Sequence, residues 1–299
     1  MKKLIIILGV VGTSVSAVLV RIANAPSLVL VLYRVSFAAA FLLPVLIIRH
    51  RQELKNIPKR DFILSAFSGI FLGFHFAAYF QSLRFTSIAS SVVLVDTEVF
   101  FIAWITFLLF GEKVGRKCWL GILLTFAGSV IVAFSDAGSG SNVLIGDIIA
   151  LAGALCLACY TTLGVFCRRT MSTIVYTFMV YAFAAITALI VLFVQGVKLI
   201  GYDRINILSG LGLALFCTLL GHSLFSWGLK FEKPVFVSAV KMLEPVFATI
   251  WGMFLFSEIP SAFVIVGGSL IIIGIIYYTT HHFQNESTKN DLLPKGKRV

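Results

Sequence analysis

Seven ionisable side chains of this sequence fall where only hydrocarbon would be expected. Arg34, His75, Asp96, Glu98, His222, Lys241 and Glu244 each interrupt a long run of apolar residues. An ionised group at the centre of a bilayer costs a few kcal/mol on insertion scales, so such groups normally face a partner, a wet cavity or a ligand. Lys241 and Glu244 are three apart, a spacing that puts two side chains on one helical face and lets them pair. A fixed buried ion pair satisfies that spacing as well as a binding site does. His75 and Tyr79 are four apart on one face, and His222 and Ser226 make a similar pair, although a lone His equally suits a helix–helix hydrogen bond. Asp96 and Glu98 lie about 200° apart around a helix at ~100° per residue, which predicts different tasks for the two acids. Arg34 either joins a buried site or snorkels from an early helical position to the interface.

With both histidines neutral, Arg34 and Lys241 stand against Asp96, Glu98 and Glu244, an excess of one acid. A proton held on one carboxyl would balance it, and so would the ammonium group of a substrate. Both are things a carrier moves.

The elements that must position these groups are apolar helices. The chain is 59% hydrophobic and 12% charged, with a mean hydropathy of +1.02, which excludes an ordinary soluble globule. Runs near 20 residues, long enough to cross a ~30 Å hydrocarbon layer as helix, recur from end to end. They predict ten spans at about 4–22, 27–48, 62–82, 87–110, 117–135, 146–166, 172–194, 205–228, 235–256 and 261–280. The apolar stretch at the N-terminus continues to Arg21 and is read as a retained first helix.

Orientation follows from Lys and Arg, because basic loops stay cytoplasmic. With the N-terminus inside, eighteen basic residues fall on the cytoplasmic side and only Arg21, Arg84, Lys198 and Arg204 opposite. Both termini are then cytoplasmic, and the formal charge of +11 is mostly a topology signal. The basic tail ending in Lys295, Lys297 and Arg298 suits lipid headgroups, not nucleic acid.

Several chemistries lack their usual patterns. Cys156 and Cys159 have the spacing of a metal or redox pair but no second pair, so no metal or cofactor is expected. An intramembrane enzyme acting on lipid or prenyl substrates would carry clustered Asp or a His-Glu zinc pattern. A channel would show a ring of carbonyls or like charges. The Ser of "GSGS" at 138–141 has no strand–turn–helix context.

The chain also repeats itself. A shift of 146 residues aligns "LRFTSIASSVVLVDTEVFFIAWITFLLFGEKV" with "LKFEKPVFVSAVKMLEPVFATIWGMFLFSEIP" without a gap. Glu98 falls on Glu244, Glu112 on Glu258, Gly121 on Gly267 and Gly128 on Gly274. Five helices per half is an odd number, so the halves, 1–138 and 139–284 ahead of a polar tail at 285–299, would enter the membrane in opposite senses. Inverted repeats are a common plan of secondary transporters. Glu112 and Glu258 close their helices, in exposed or structural roles, and Gly69-x-x-x-Gly73 suits close helix packing.

Ten helices in two repeats, "PSLVLVLYRVSFAAAFLLPVL" at 26–46, "FGE" at 110–112, "EPVFATIWGMFLFSE" at 244–258 and the paired glycines resemble the drug/metabolite transporter superfamily, EamA type. "GFHFAAYFQSLRFTSIASSVVLV" and "GHSLFSWGLKF" resemble the His-containing third and eighth helices of one bacterial and archaeal branch. The resemblance covers about residues 4–280. It implies an all-α integral membrane carrier of small metabolites in the cytoplasmic membrane, often an exporter of amino acids or related compounds, acting as a monomer or homodimer. In such proteins helices 3, 4, 8 and 9 line a central cavity, which would bring His75, Tyr79, Glu98, His222, Trp227, Lys241 and Glu244 near it, with Asp96 and Arg34 as further candidates. Protons are the candidate coupling ion. The family usually has proline at mid-helix in both repeats, whereas Val99 stands where the second half has Pro245; helix 9 is therefore expected to be the more bent and the moving member.

Overall fold

The computed structural model describes residues 2–82, 84–85, 88–111, 113–134, 142–257 and 259–291. Glu112, Glu258, the 138–141 loop and the basic end of the tail lie outside these. Among the described residues the fold is helical throughout, without strands. The helices are α1 (Lys3–Arg21), α2 (Ser27–Arg49), α3 (Lys59–Ser82), α4 (Ser91–Phe110), α5 (Arg116–Phe134), α6 (Val143–Thr170), α7 (Thr173–Val194), α8 (Arg204–Gly228), α9 (Pro234–Phe256) and α10 (Ala262–His281). Nine of them, all but α5, are counted long and apolar enough to cross a membrane among the described residues. The chain is a multi-pass membrane protein.

The ends of the helices follow from their residues. Pro234 opens α9 at its first turn, where a missing N–H is harmless. The Ser172 hydroxyl accepts from the Val175 N–H to cap α7 at 3.3 Å. α4 closes on Gly111 at φ 65° and α9 on Ser257 at φ 55°, both in the left-handed C-cap conformation that glycine adopts without strain.

Glycines set the closest approaches. A Cβ on Gly69 would come within 2.5 Å of the Val180 carbonyl oxygen, and one on Gly73 within 2.6 Å of Thr187, so α3 packs backbone-to-helix on α7 as the small-residue spacing predicts. α5 and α10 cross in the same way: Gly128 faces Gly267, and Gly274 faces Thr125 and the Gly121 carbonyl. A late residue of one helix meets an early residue of the other, so this pair runs antiparallel.

Four helices are not regular: α1 is interrupted at Val15, between Lys2–Ser14 and Ser16–Arg21, and three others are interrupted within their length. α4, with the three residues ahead of it, is two α-helices, Ile88–Asp96 and Glu98–Phe110, separated at Thr97; α9 is Pro234–Lys241 and Glu244–Phe256, separated at Met242 and Leu243. Thr97 and Leu243 are 146 residues apart. α4 breaks at the same register as α9 although it has no proline there, through a tight bond from Thr97 N–H to Leu94 O at 3.3 Å. In α9, Met242 and Leu243 donate to Ala239 and Val240 at 3.2 and 3.1 Å, and Pro245 sits in the first turn of the following segment. α8 is wound as a π-helix from Leu213 to His222, a rare geometry found mostly at functional positions.

Candidate functional site

The two breaks in α4 and α9 gather the buried charges. Lys241 and Glu244 form no ion pair with each other, so the pairing expected from their spacing is corrected. Lys241 Nζ instead forms an ion pair across to Glu98 Oε1, with side-chain exposures of 13% and 4%. Glu98 and Glu244 each occupy the first turn of the second segment of their helix, where the N–H groups of a helix start favour negative charge. Glu244 is half-buried, in polar contact with Thr13 of α1 and within electrostatic range of Lys241, Arg34 and Glu98. Asp96, at the end of the preceding segment of α4, lies within range of Glu244, Glu98 and Lys241.

Arg34 is not at the interface. It is 5% exposed, two turns into α2, with Nε donating to the Thr218 hydroxyl at 3.1 Å and its guanidinium 4.3 Å over the Phe76 ring. The π-winding of α8 supplies that partner: Thr218 reaches back to Leu213 O at 3.2 Å, and its carbonyl accepts from Tyr181 at 3.0 Å. Phe76 also packs on both histidines, its ring 5.2 Å from that of His75 and 5.5 Å from that of His222. His75 Nδ1 donates to Gly153 O at 3.1 Å, since a carbonyl can only accept, which leaves Nε2 as the acceptor of the neutral ring. Tyr79 stacks on His75 at 6.4 Å and lies within range of Glu244 and Asp96.

The structure therefore brings together Arg34, His75, Tyr79, Asp96, Glu98, His222, Lys241 and Glu244. Trp227 stands apart. Its ring packs on Phe231 at 4.8 Å near the end of α8, on a different face from His222. Among the described residues, Asp96 Oδ2, Glu98 Oε2, His222 Nδ1 and Ser238 Oγ are buried without a hydrogen-bond partner. Buried polar atoms are normally satisfied, so those of Asp96, Glu98 and His222, all within electrostatic range of Lys241, make this cluster a candidate site. Their chemistry suits an ammonium or a transferable proton at the acids and a carboxylate at Arg34.

Sequence reasoning missed Phe76, Thr218, Tyr181 and Trp251, whose Nε1 donates to Ser14 Oγ at 2.9 Å and ties α9 to α1. It also missed a clamp at the other end of the bundle. The Arg168 guanidinium, 2% exposed, donates to Ser226 O at 3.0 Å, Thr173 Oγ1 at 2.7 Å and Met171 O. Nearby, Glu53 accepts from the Ser172 N–H at 2.6 Å and contacts His50 at 3.0 Å. Burial works to raise the Glu53 pKa, but the Ser172 and His50 hydrogen bonds outweigh it and hold the carboxyl below its ordinary 4.5.

Comparison with known proteins gives these residues a setting. The model of the EamA-like transporter family matches residues 2–134 and again 144–280. An uncharacterized transporter of Archaeoglobus fulgidus is 26% identical over 220 residues, 72% of this chain and 74% of the relative. The pseudopaline exporter CntI of Pseudomonas aeruginosa is 23% identical over 210 residues, 70% and 72% of the two chains. The uncharacterized transporter YyaM of Bacillus subtilis is 25% identical over 256 residues, 82% and 81%. A protein crystal structure aligns at a TM-score of 0.78 and 17% identity, covering 93% of this chain and 97% of that one, a likeness of fold. With the family model matched twice and along nearly the whole length, the chain belongs to the EamA-like transporter family of the drug/metabolite transporter superfamily.

Proposed function

We propose that the chain is a secondary carrier of ten membrane helices, built as inverted repeats over 1–138 and 139–284, that exports a small metabolite across the cytoplasmic membrane by alternating access. The observation that carries this reading is the pair of broken helices, whose breaks fall 146 residues apart and meet at one buried cluster of charge. The C-caps Gly111 and Ser257 and the crossing of Gly128 with Gly267 and Gly121 with Gly274 keep the same register. Broken helices with ligand groups at their starts suit midplane binding in inverted-repeat transporters.

The two halves of the cluster differ in closure. Pro234 to Val240 are all buried, and this segment packs on Glu98–Phe110, whereas in Glu244–Phe256 only Gly252 is buried. With both termini cytoplasmic, the packed half faces the cytoplasm and the state is outward-facing. The Lys241–Glu98 pair stands at the closed side and half-buried Glu244 at the open one. Once Lys241 and Glu98 neutralise each other, Arg34 remains against Asp96 and Glu244, so the ligand is an amphoteric or cationic metabolite such as an amino acid, or is exchanged for a proton. One relative carries the name of an exporter, which favours the outward direction. The carrier works as a monomer or homodimer.

Proteoliposomes test this. A thermal-shift screen of the purified protein against amino acids, polyamines, purines and vitamins selects the solute, because a ligand that binds only the folded state raises its melting temperature. Saturable flux of that solute is expected, with Glu244→Gln and Lys241→Ala each lowering it and Glu244→Gln altering its pH dependence. Unchanged flux in both variants would refute the site, and ion current without saturation would favour a channel.

A further inference from the structure

Two grooves run along the outside of the broken helices. One, of about 440 Å³, is lined by Phe100, Ala103, Trp104, Phe107, Val114 and Trp119, with Lys113 at its mouth. The other, of about 210 Å³, includes Val246, Thr249, Ile250, Met253, Pro260 and Ile265. Adding 146 to the first six positions gives the second six without exception. The same indentation thus occurs twice, between α4 and α5 and between α9 and α10.

The two copies are chemically unlike. The first has a wall of rings, with Trp104 61% and Phe107 45% exposed, and is lined by exposed Lys113, with exposed Arg116 and Lys117 three and four residues further along the chain. Arg169 adds a further cation at this end of α4, its guanidinium 5.6 Å from the Phe110 ring. The positions matching Lys113, Arg116 and Lys117 in the second copy are Ile259, Ala262 and Phe263. A basic mouth on an aromatic trough at membrane depth is complementary to an acyl chain ending in a phosphate. A mouth with no basic residue at these positions is not.

We infer that the α4–α5 groove is a binding site for one anionic phospholipid of the leaflet at the Lys113 end. Its acyl chain lies along Phe100, Trp104 and Trp119. Its phosphate rests on Lys113 beside the start of α5, where helical N–H groups point at an anion. The wall of this groove is the same segment that begins with Glu98, so the lipid braces the part of α4 that carries half of the buried ion pair. Specificity for negative charge separates this site from general lipid solvation, and it does not rest on any substrate assignment.

Native mass spectrometry of the full-length protein tests the inference, with palmitoyl-oleoyl phosphatidylglycerol and the matching phosphatidylcholine added in turn. One phosphatidylglycerol should be retained in preference to phosphatidylcholine. Lys113→Gln should lower that retention about five-fold, since a basic residue at an anionic surface contributes about that much, while Lys113→Arg keeps it. Ile259→Gln, at the position matching Lys113, should leave it unchanged. Equal retention of the two lipids by the unaltered protein, or unaltered preference in Lys113→Gln, would overturn the site. A dimer in the same spectra that Trp104→Leu dissociates would assign the face to a second copy of the chain and overturn it equally.

Discussion

Replacing Lys241 by Met is the most direct trial of the cross-helix pairing. Glu98 is 3% exposed, its Oε1 held by Lys241 and its Oε2 without any partner among the described residues. Removing the ammonium leaves a buried carboxylate uncompensated, which typically costs about 3–5 kcal/mol. At ~2–4 °C per kcal/mol for chains approaching this size, the melting temperature in detergent should fall on the order of 10 °C. Glu98→Gln removes the charge that Lys241 answers, so the double variant Lys241→Met/Glu98→Gln should be more stable than the sum of the singles by about 2 kcal/mol or more. The matching cycle of Lys241 with Glu244, which are not paired, should show a coupling below about 1 kcal/mol. Thermal unfolding of the four variants of each cycle, followed by tryptophan fluorescence, supplies the numbers. A larger coupling to Glu244 than to Glu98 would refute the geometry, since it would mean that Lys241 pairs along α9 and not across to α4.

Three other outcomes are expected. Thr218→Val keeps shape but removes the acceptor of Arg34 Nε, so chemical or thermal unfolding should show a loss of about 1–3 kcal/mol. Gly274→Ala places a Cβ 2.6 Å from the Thr125 backbone nitrogen; with backbone in the way, α5 and α10 must part at a cost of about 1–3 kcal/mol, readable as a lower melting temperature. Glu53 is held below its ordinary 4.5, so its anchor to Ser172 stabilises the fold above that value and is lost as pH falls through the folded pKa. Melting temperatures of the unaltered protein and Glu53→Gln should accordingly differ at pH 7 and converge as the pH falls through the lowered pKa of the carboxyl.

The existence of the helices was legible because each apolar run is long enough to declare itself, and the described bounds fall within a few residues of those read from hydropathy. The breaks were legible only in part. Pro245 announces one, but Thr97 has no strong breaker beside it, and Lys241 pairs across to Glu98 on α4, which spacing along α9 could not announce. The buried charges could be named from their cost in hydrocarbon, yet their partners could not, because Phe76, Thr218 and Tyr181 are ordinary residues until helices α2, α3, α7 and α8 bring them together. Arg34 shows the same limit. Its position early in an apolar run suits an interface, and only the start of α2 at Ser27 puts it two turns deep. The π-winding of α8 has no pattern in "LALFCTLLGH" that separates it from an α-helix.

The crossing of α5 and α10 has a practical consequence. Gly121, Gly128, Gly267 and Gly274 meet with almost no side chain between the backbones, so forming this contact freezes few rotamers and depends little on long-range order. It also joins the last helix of each of the two stretches that the family model matches separately. A gene cut between them should therefore yield two polypeptides that assemble in the same membrane without a linker. The intact chain would then owe to its covalent connection mainly a high local concentration of one half for the other.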